Sequence, residues 1–378
     1  MMKPFVKWAG GKEHELSIIM DNLPSNINNY IEPFLGGGAL FFALDDKQLD
    51  GKYYINDFSN ELIKLYRMIF NEEEVFYNSL NTINKNVKAL KKISQQYSND
   101  IVQIYNDYRK DLNATSLRDK ITNFMYKHTD DFNGLHEVES NICIDKFDEL
   151  VKTFLIRKIK RVVQLEEKGN TIDDELLHDM IETCMLSAYY THIRNLYNDL
   201  DDSNIRQIIS GPIESAYFYY IREYCYCSMF RYNRSGKFNV PYGGIAYNKK
   251  NFDNKINYLK SSELINRIKK SEIYNLDFEE FINKLHIKKN DFIFIDPPYD
   301  TDFNEYAQNS FDKDDQRRLA KCLSKLDCNI MVVIKKTDFI YNLYKDYGFK
   351  IDSFEKKYNV NFRNRNERNV EHLLITNY

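Results

Sequence analysis

The sequence predicts an α/β fold: a Rossmann-like sheet with an antiparallel C-terminal hairpin, interrupted by a mainly helical insertion. Three observations predict it. Short β-branched and aromatic runs meet glycine or proline breaks near both ends of the chain, at residues 30–34, 53–55 and 291–295. Between them, Phe76, Leu80, Ile83, Val87, Leu90 and Ile93 recur at three- and four-residue spacing, the period of an amphipathic helix. Glycine and proline are then nearly absent until Gly211-Pro212, so nothing punctuates the helical stretch.

In chain order, residues 6–12 read as a glycine-bearing loop and 30–34 as a strand. Gly36-Gly37-Gly38 turns into a helix that starts at Ala39. A second strand over 53–55 ends at Asn56-Asp57 and is followed by a helix over 61–70. Helical periodicity returns at 101–108, 147–163 and 176–200, interrupted by a polar stretch near 129–140. After the strand at 291–295 come a polar loop, a helix over 314–326, and strands at 329–334, 349–358 and 370–376. The last two lie close enough in sequence to pair antiparallel. These breaks predict one domain from residues 1–70 and 245–378, and an inserted domain of 71–244 that ends in a hairpin over 230–242.

Composition narrows the function classes. The chain has 378 residues, 43% hydrophobic and 29% charged, with a net charge of −3, so any nucleic-acid surface must be a local patch. The cysteines Cys143, Cys184, Cys225, Cys227, Cys322 and Cys328 lack zinc-ligand spacing, which predicts a reducing cytoplasm and no metal. No apolar run approaches the roughly 18 residues of a membrane span. The start, Met1-Met2-Lys3-Pro4, has no signal-peptide core.

Asp296-Pro297-Pro298-Tyr299 carries the most specific chemistry. Proline cannot continue a central strand, so the chain breaks where open α/β sheets bind ligands. A carboxylate, a proline carbonyl and an aromatic ring then project together. The amine of adenine is a poor nucleophile because its lone pair is delocalised into the ring. Hydrogen bonds from its two hydrogens to Asp296 and the Pro297 carbonyl favour the pyramidal geometry that frees the lone pair. Tyr299 is suited to stacking on the base.

Other motifs admit two readings each. The turn Glu32-Pro33-Phe34-Leu35-Gly36-Gly37-Gly38 is a ligand cradle or a tight strand-to-helix turn. Asp57 is a ribose acceptor or a helix N-cap. Residues 5–12, with the single Trp8, fold over a ligand or anchor the amino terminus. The hairpin Arg231-Tyr232-Asn233-Arg234-Ser235-Gly236-Lys237 reads base edges or is simply solvated. The basic stretch 152–161 tracks phosphates or is a solvated helix face.

Taken in order, these motifs resemble the Dam-type DNA adenine-N6 methyltransferases of the α-arranged class, over about residues 3–70 and 229–378. The closing Glu371-His372-Leu373-Leu374-Ile375-Thr376-Asn377-Tyr378 is similar to that family's final strand. The resemblance implies a methyltransferase sheet with an inserted target-recognition domain, and site-specific methyl transfer from S-adenosylmethionine to a flipped adenine in duplex DNA. It implies cofactor contacts from Trp8, Lys12, Phe34, Gly36, Asp57, Asp277 and Asp296, and catalysis by Asp296, Pro297 and Tyr299. Lys7, Arg231, Tyr232, Asn233, Arg234 and Lys237 would face DNA, and the loop 300–311, with Tyr306, Asn309 and Phe311, would close over the base. A cognate restriction endonuclease and a bacterial or phage-infected cell fit the same picture. Arg234 departs from the family's hairpin pattern, so target specificity does not carry over; Lys335-Lys336 replace an expected Ser-Asn pair. The competing class is a DNA-binding regulator with a vestigial methyltransferase site.

Overall fold

Burial selects the central strands. Residues 292–295 and 330–334 are buried at every position, as parallel strands covered on both faces require. The structure, a computed structural model, describes residues 2–8, 10–133, 135, 144–200, 209–229, 231–298, 311–357 and 369–378. Among the described residues there are seven strands: β1 Tyr30–Glu32, β2 Tyr53–Asn56, β3 Ser271–Tyr274, β4 Phe292–Ile295, β5 Asn329–Lys335, β6 Lys350–Lys357 and β7 Asn369–Thr376. Their order is β3-β2-β1-β4-β5-β7-β6. The first five run parallel, and β7 pairs antiparallel with both β5 and β6.

The expected antiparallel pairing of the last two strands is present, and β7 takes the inner place. Leu373, Leu374 and Ile375 are buried there, whereas β6 carries Lys350, Asp352 and Glu355 at the sheet's edge. Charges on an edge strand discourage further pairing. β3 was not anticipated: Ser-Glu-Ile-Tyr is short and mixed in polarity, and its pairing with β2 defines it.

The chain forms two compact units, Met1–Glu72 with Leu259–Tyr378, and Glu73–Tyr258. The first holds the sheet. The second is helical, with helices including Glu74–Gln96, Ser98–Asp111, Ala114–Lys127, Ile144–Glu167, Asp174–Asn198 and Gly211–Tyr224. All six apolar positions that predicted its first helix are buried. Residues 245–258, grouped with the sheet from sequence, pack with the helices instead. Asn248 Nδ2 donates to Thr183 Oγ1 at 2.9 Å, and Asp253 Oδ1 accepts from Asn84 Nδ2 and Lys88 Nζ, each at 2.7 Å. Among the described residues, no helix is long and apolar enough to cross a membrane.

Candidate active site

Because β1, β2, β3 and β4 are parallel neighbours, their carboxyl ends share one edge of the sheet. Asn56, fully buried at the end of β2, staples that edge. Its Nδ2 donates to the carbonyls of Pro33 and Leu276, both at 3.0 Å, and its Oδ1 accepts from Leu276 N at 2.8 Å. The next residue, Asp57, accepts from Gly36 N at 2.8 Å and Ser59 N at 2.9 Å. Burial pushes its carboxyl up to about 6, against the pull of those two N–H bonds. Phe58 follows, 57% exposed, and Asn275 Nδ2 donates to the Asp57 carbonyl at 2.8 Å.

The glycine turn lies against the amino-terminal loop. At Gly36, φ is +50°, and an added Cβ would meet Trp8 Cδ1 at 2.9 Å. Only a residue without a side chain fits between Asp57 and that indole. At Gly38, φ is +73° and a Cβ would meet the Tyr66 hydroxyl at 2.8 Å, so the start of helix Ala39–Ala43 also requires glycine.

After β4, Asp296 is ion-paired with the buried Lys12, whose Nζ also donates to Gly10 O at 3.1 Å. Pro297 is buried and Pro298 exposed. Gln316, wholly buried on helix Lys313–Leu323, donates from Nε2 to the Pro298 carbonyl at 2.9 Å. Beneath lies Glu32, whose Oε2 accepts from Tyr30 Oη at 2.9 Å. Burial drives the Glu32 carboxyl well above its ordinary range, and the negative charges of Asp296 and Asp57 add to that rise. Tyr299 and residues 300–310 of the adjoining loop, including Tyr306 and Asn309, lie outside the described residues.

Phe34, Phe278 and Phe311 form an aromatic trio with ring centroids 5.5–5.8 Å apart. Asp277, next to Phe278, caps helix Phe278–Lys284 and takes a bidentate bond from Arg318, at 3.0 and 2.9 Å. The same guanidinium lies 4.4 Å from the Phe278 ring centroid. Gln316, Arg318 and Phe58 lie outside the sequence motifs, and Glu32 belongs to them only as the first residue of the glycine turn. Phe58 alone left a signal there, as an aromatic directly after the acid that ends a strand. Among the described residues, no group of three or more His, Cys, Asp or Glu is placed to hold a metal ion.

Lys7, in the first unit, is exposed. The other residues expected to face DNA belong to the helical unit. Asn233 Oδ1 accepts from Ser235 N, Ser235 Oγ and Lys237 N at 2.8–3.0 Å, building the hairpin turn. Arg231 Nε donates to Asn239 Oδ1 at 2.9 Å, Tyr232 meets Phe238 edge to face, and Lys237 pairs with Asp199 at 2.7 Å. Arg234 is exposed at the turn.

A sheet of this order, with its ligand-type loops gathered at the carboxyl ends, places the protein in the Rossmann-like class of methyltransferases. The chain belongs to the D12 class N6 adenine-specific DNA methyltransferase family, which matches residues 8–177 and, overlapping them, 151–360. It is 27% identical over 380 residues to the type II methyltransferase M.CviBI of Paramecium bursaria Chlorella virus NC1A, covering the whole of both chains. It is 28% identical over 392 residues to the type II methyltransferase M.MjaIII of Methanocaldococcus jannaschii, covering all of this chain and 99% of that one. The DNA adenine methylase of Haemophilus influenzae is 22% identical over 360 residues, covering 92% and 85%. The protein is thus a site-specific DNA methyltransferase acting on the N6 amine of adenine, and its family implies S-adenosylmethionine as methyl donor.

The residues present fit that donor. Gly36 offers bare backbone beside the Trp8 indole. Asp57 accepts two N–H bonds, and a carboxylate has about four acceptor positions, leaving room for hydroxyls.

Proposed function

We propose that Asp296, Pro297 and Tyr299 carry out the methyl transfer on an adenine flipped from duplex DNA, at a site of defined sequence. The observation that supports this most directly is the pairing of Asp296 with the buried Lys12 at the end of β4. That pairing fixes the direction of the Asp296 carboxylate, so that it accepts one amine hydrogen while the Pro297 carbonyl accepts the other. Tyr299 stacks on the base face. Flipping is required because a paired adenine cannot bring its amine into such a crevice.

Trp8, Lys12, Phe34, Gly36, Asp57, Asp277 and Asp296 would hold S-adenosylmethionine. When bound, it supplies a methyl group on a sulfonium, whose leaving group is a neutral thioether. Asp57 would accept ribose hydroxyls. Asp277 would act from within its Arg318 pair, and the Phe34–Phe278–Phe311 trio lends an apolar wall. The helical unit serves target recognition, with Lys7 and the Arg231–Lys237 turn facing DNA. A cognate endonuclease for the same site fits an enzyme of this type.

Single-molecule sequencing of DNA from a methylation-deficient host tests the reading. The chain should place N6-methyladenine at one short motif, and Asp296→Ala should abolish it. Full methylation by the variant would remove Asp296 from the reaction. Binding of cofactor and DNA with no methylation by either would favour a regulator instead.

A further inference from the structure

The recognition hairpin is held from outside. An isolated two-stranded hairpin is at best marginally stable in water, so its geometry must come from what it rests on. Within it, Asn233 N donates to Lys237 O at 2.9 Å and Asn239 N to Arg231 O at 3.1 Å. Tyr232 and Phe238, bridged between these bonds, are therefore a non-hydrogen-bonded pair. In that register the N–H and C=O of Phe238 point away from the partner arm.

Helix Asp174–Asn198 meets them there. Its residues Tyr190, Arg194 and Asn198 are spaced by four and so share one face. Asn198 Nδ2 donates to Phe238 O at 2.8 Å, and Asn198 Oδ1 accepts from Phe238 N at 2.8 Å. Two residues on, Val240 O accepts from Tyr190 Oη at 2.9 Å and from Arg194 Nη1 at 3.1 Å. Phe238 and Val240 are buried, while Arg231, Asn233, Arg234 and Lys237 stay exposed. One helix face thus acts as a rail for the inner arm and leaves the charged turn outward.

We propose that Asn198, supported by Arg194 and Tyr190, is a positioning residue for sequence reading, setting the register and angle at which the hairpin turn meets base edges. The inference rests on the reading that residues 230–242 face DNA. An amide is needed because it offers a donor and an acceptor on one short side chain. A carboxylate of the same shape would oppose the Phe238 carbonyl, and a methyl group would leave both backbone groups unheld.

The test uses the full chain with Asn198→Asp and Asn198→Ala, on duplexes carrying the methylated motif or a single base-pair change in it. Both variants should lose about tenfold in discrimination between those duplexes, the scale of one misplaced base contact. KM for DNA should rise, while kcat and KM for S-adenosylmethionine stay within about twofold. Arg234→Ala and Lys237→Ala are measured alongside. If they weaken discrimination and the Asn198 variants do not, the hairpin reading stands and the rail is overturned. If none of the four changes discrimination, the hairpin reading falls and takes the inference with it. A uniform loss in kcat, both KM values and thermal stability would mark Asn198 as a packing residue and overturn its positioning role.

Discussion

The sheet edge and the hairpin use similar residue types to opposite ends. At the sheet edge, backbone and buried side chains hold the polar groups of the site: Gly36 N and Ser59 N hold Asp57, and Lys12 holds Asp296. In the hairpin, the polar side chains hold the backbone. Asn233 takes three donors to make the turn, and Arg231 leans on Asn239. In sequence, Asn233 reads as a residue that contacts bases. Its carbonyl oxygen is engaged within its own loop, whereas Arg234 stands exposed at the turn. A motif therefore marks where a device lies without saying which of its residues touch the ligand.

Three experiments test this contrast. The largest effect belongs to Lys12→Met, which removes the Lys12 ammonium from Asp296. We expect kcat to fall by about 10²–10³, as for loss of an electrostatic group at a reacting centre, with discrimination between DNA sites unchanged. Loss of discrimination at normal kcat would show that the two regions are not separate in function.

A smaller effect is expected from pH. A carboxyl lifted by burial favours the protonated native state. The stability Asp57 contributes is thus full below the ordinary aspartate range and is lost as pH rises through about 6. Cofactor binding should run the other way, since the ionised form accepts hydroxyls better. Affinity for S-adenosylmethionine, measured calorimetrically, should weaken as pH falls through about 6, and Asp57→Asn should flatten that dependence. A profile that is unchanged in the variant would assign the titration to another group.

The smallest effect is that of Asn233→Ala. Removing the turn's acceptor should weaken DNA binding about fivefold, the scale of one net hydrogen bond, without altering its salt dependence. Arg234→Ala should instead lower the salt slope by about one unit. Identical slopes in the two variants would contradict the division between platform and contact.

Much of this was legible in the sequence, for physical reasons. β1, β2 and β4 are short runs of β-branched and aromatic residues that stop at a proline or an acid, and that punctuation marks their ends. The first insertion helix carries an unbroken apolar stripe. What escaped depends on distant partners. Lys12 and Asp296 lie 284 positions apart in the chain, and nothing local announces their pairing. Gln316 looks like any helix glutamine until Pro298 is seen above it. Asp277 was assigned to the cofactor by resemblance, yet its bidentate bond with Arg318 has no sequence signature. Residues 245–258 join the helical unit through Asn248 and Asp253, polar positions that periodicity does not detect.

The place of the insertion also bears on how the chain assembles. β2 and β3 are adjacent strands, with Tyr53 opposite Ser271, so the whole helical unit lies in the loop between them. Closing so long a loop carries an entropic cost that the extended chain would bear in full. Once the helices have formed, Asp253 ties the exit of the insertion to Asn84 and Lys88 near its entry. The loop is then effectively short, and a distant strand pairing becomes nearly a local one.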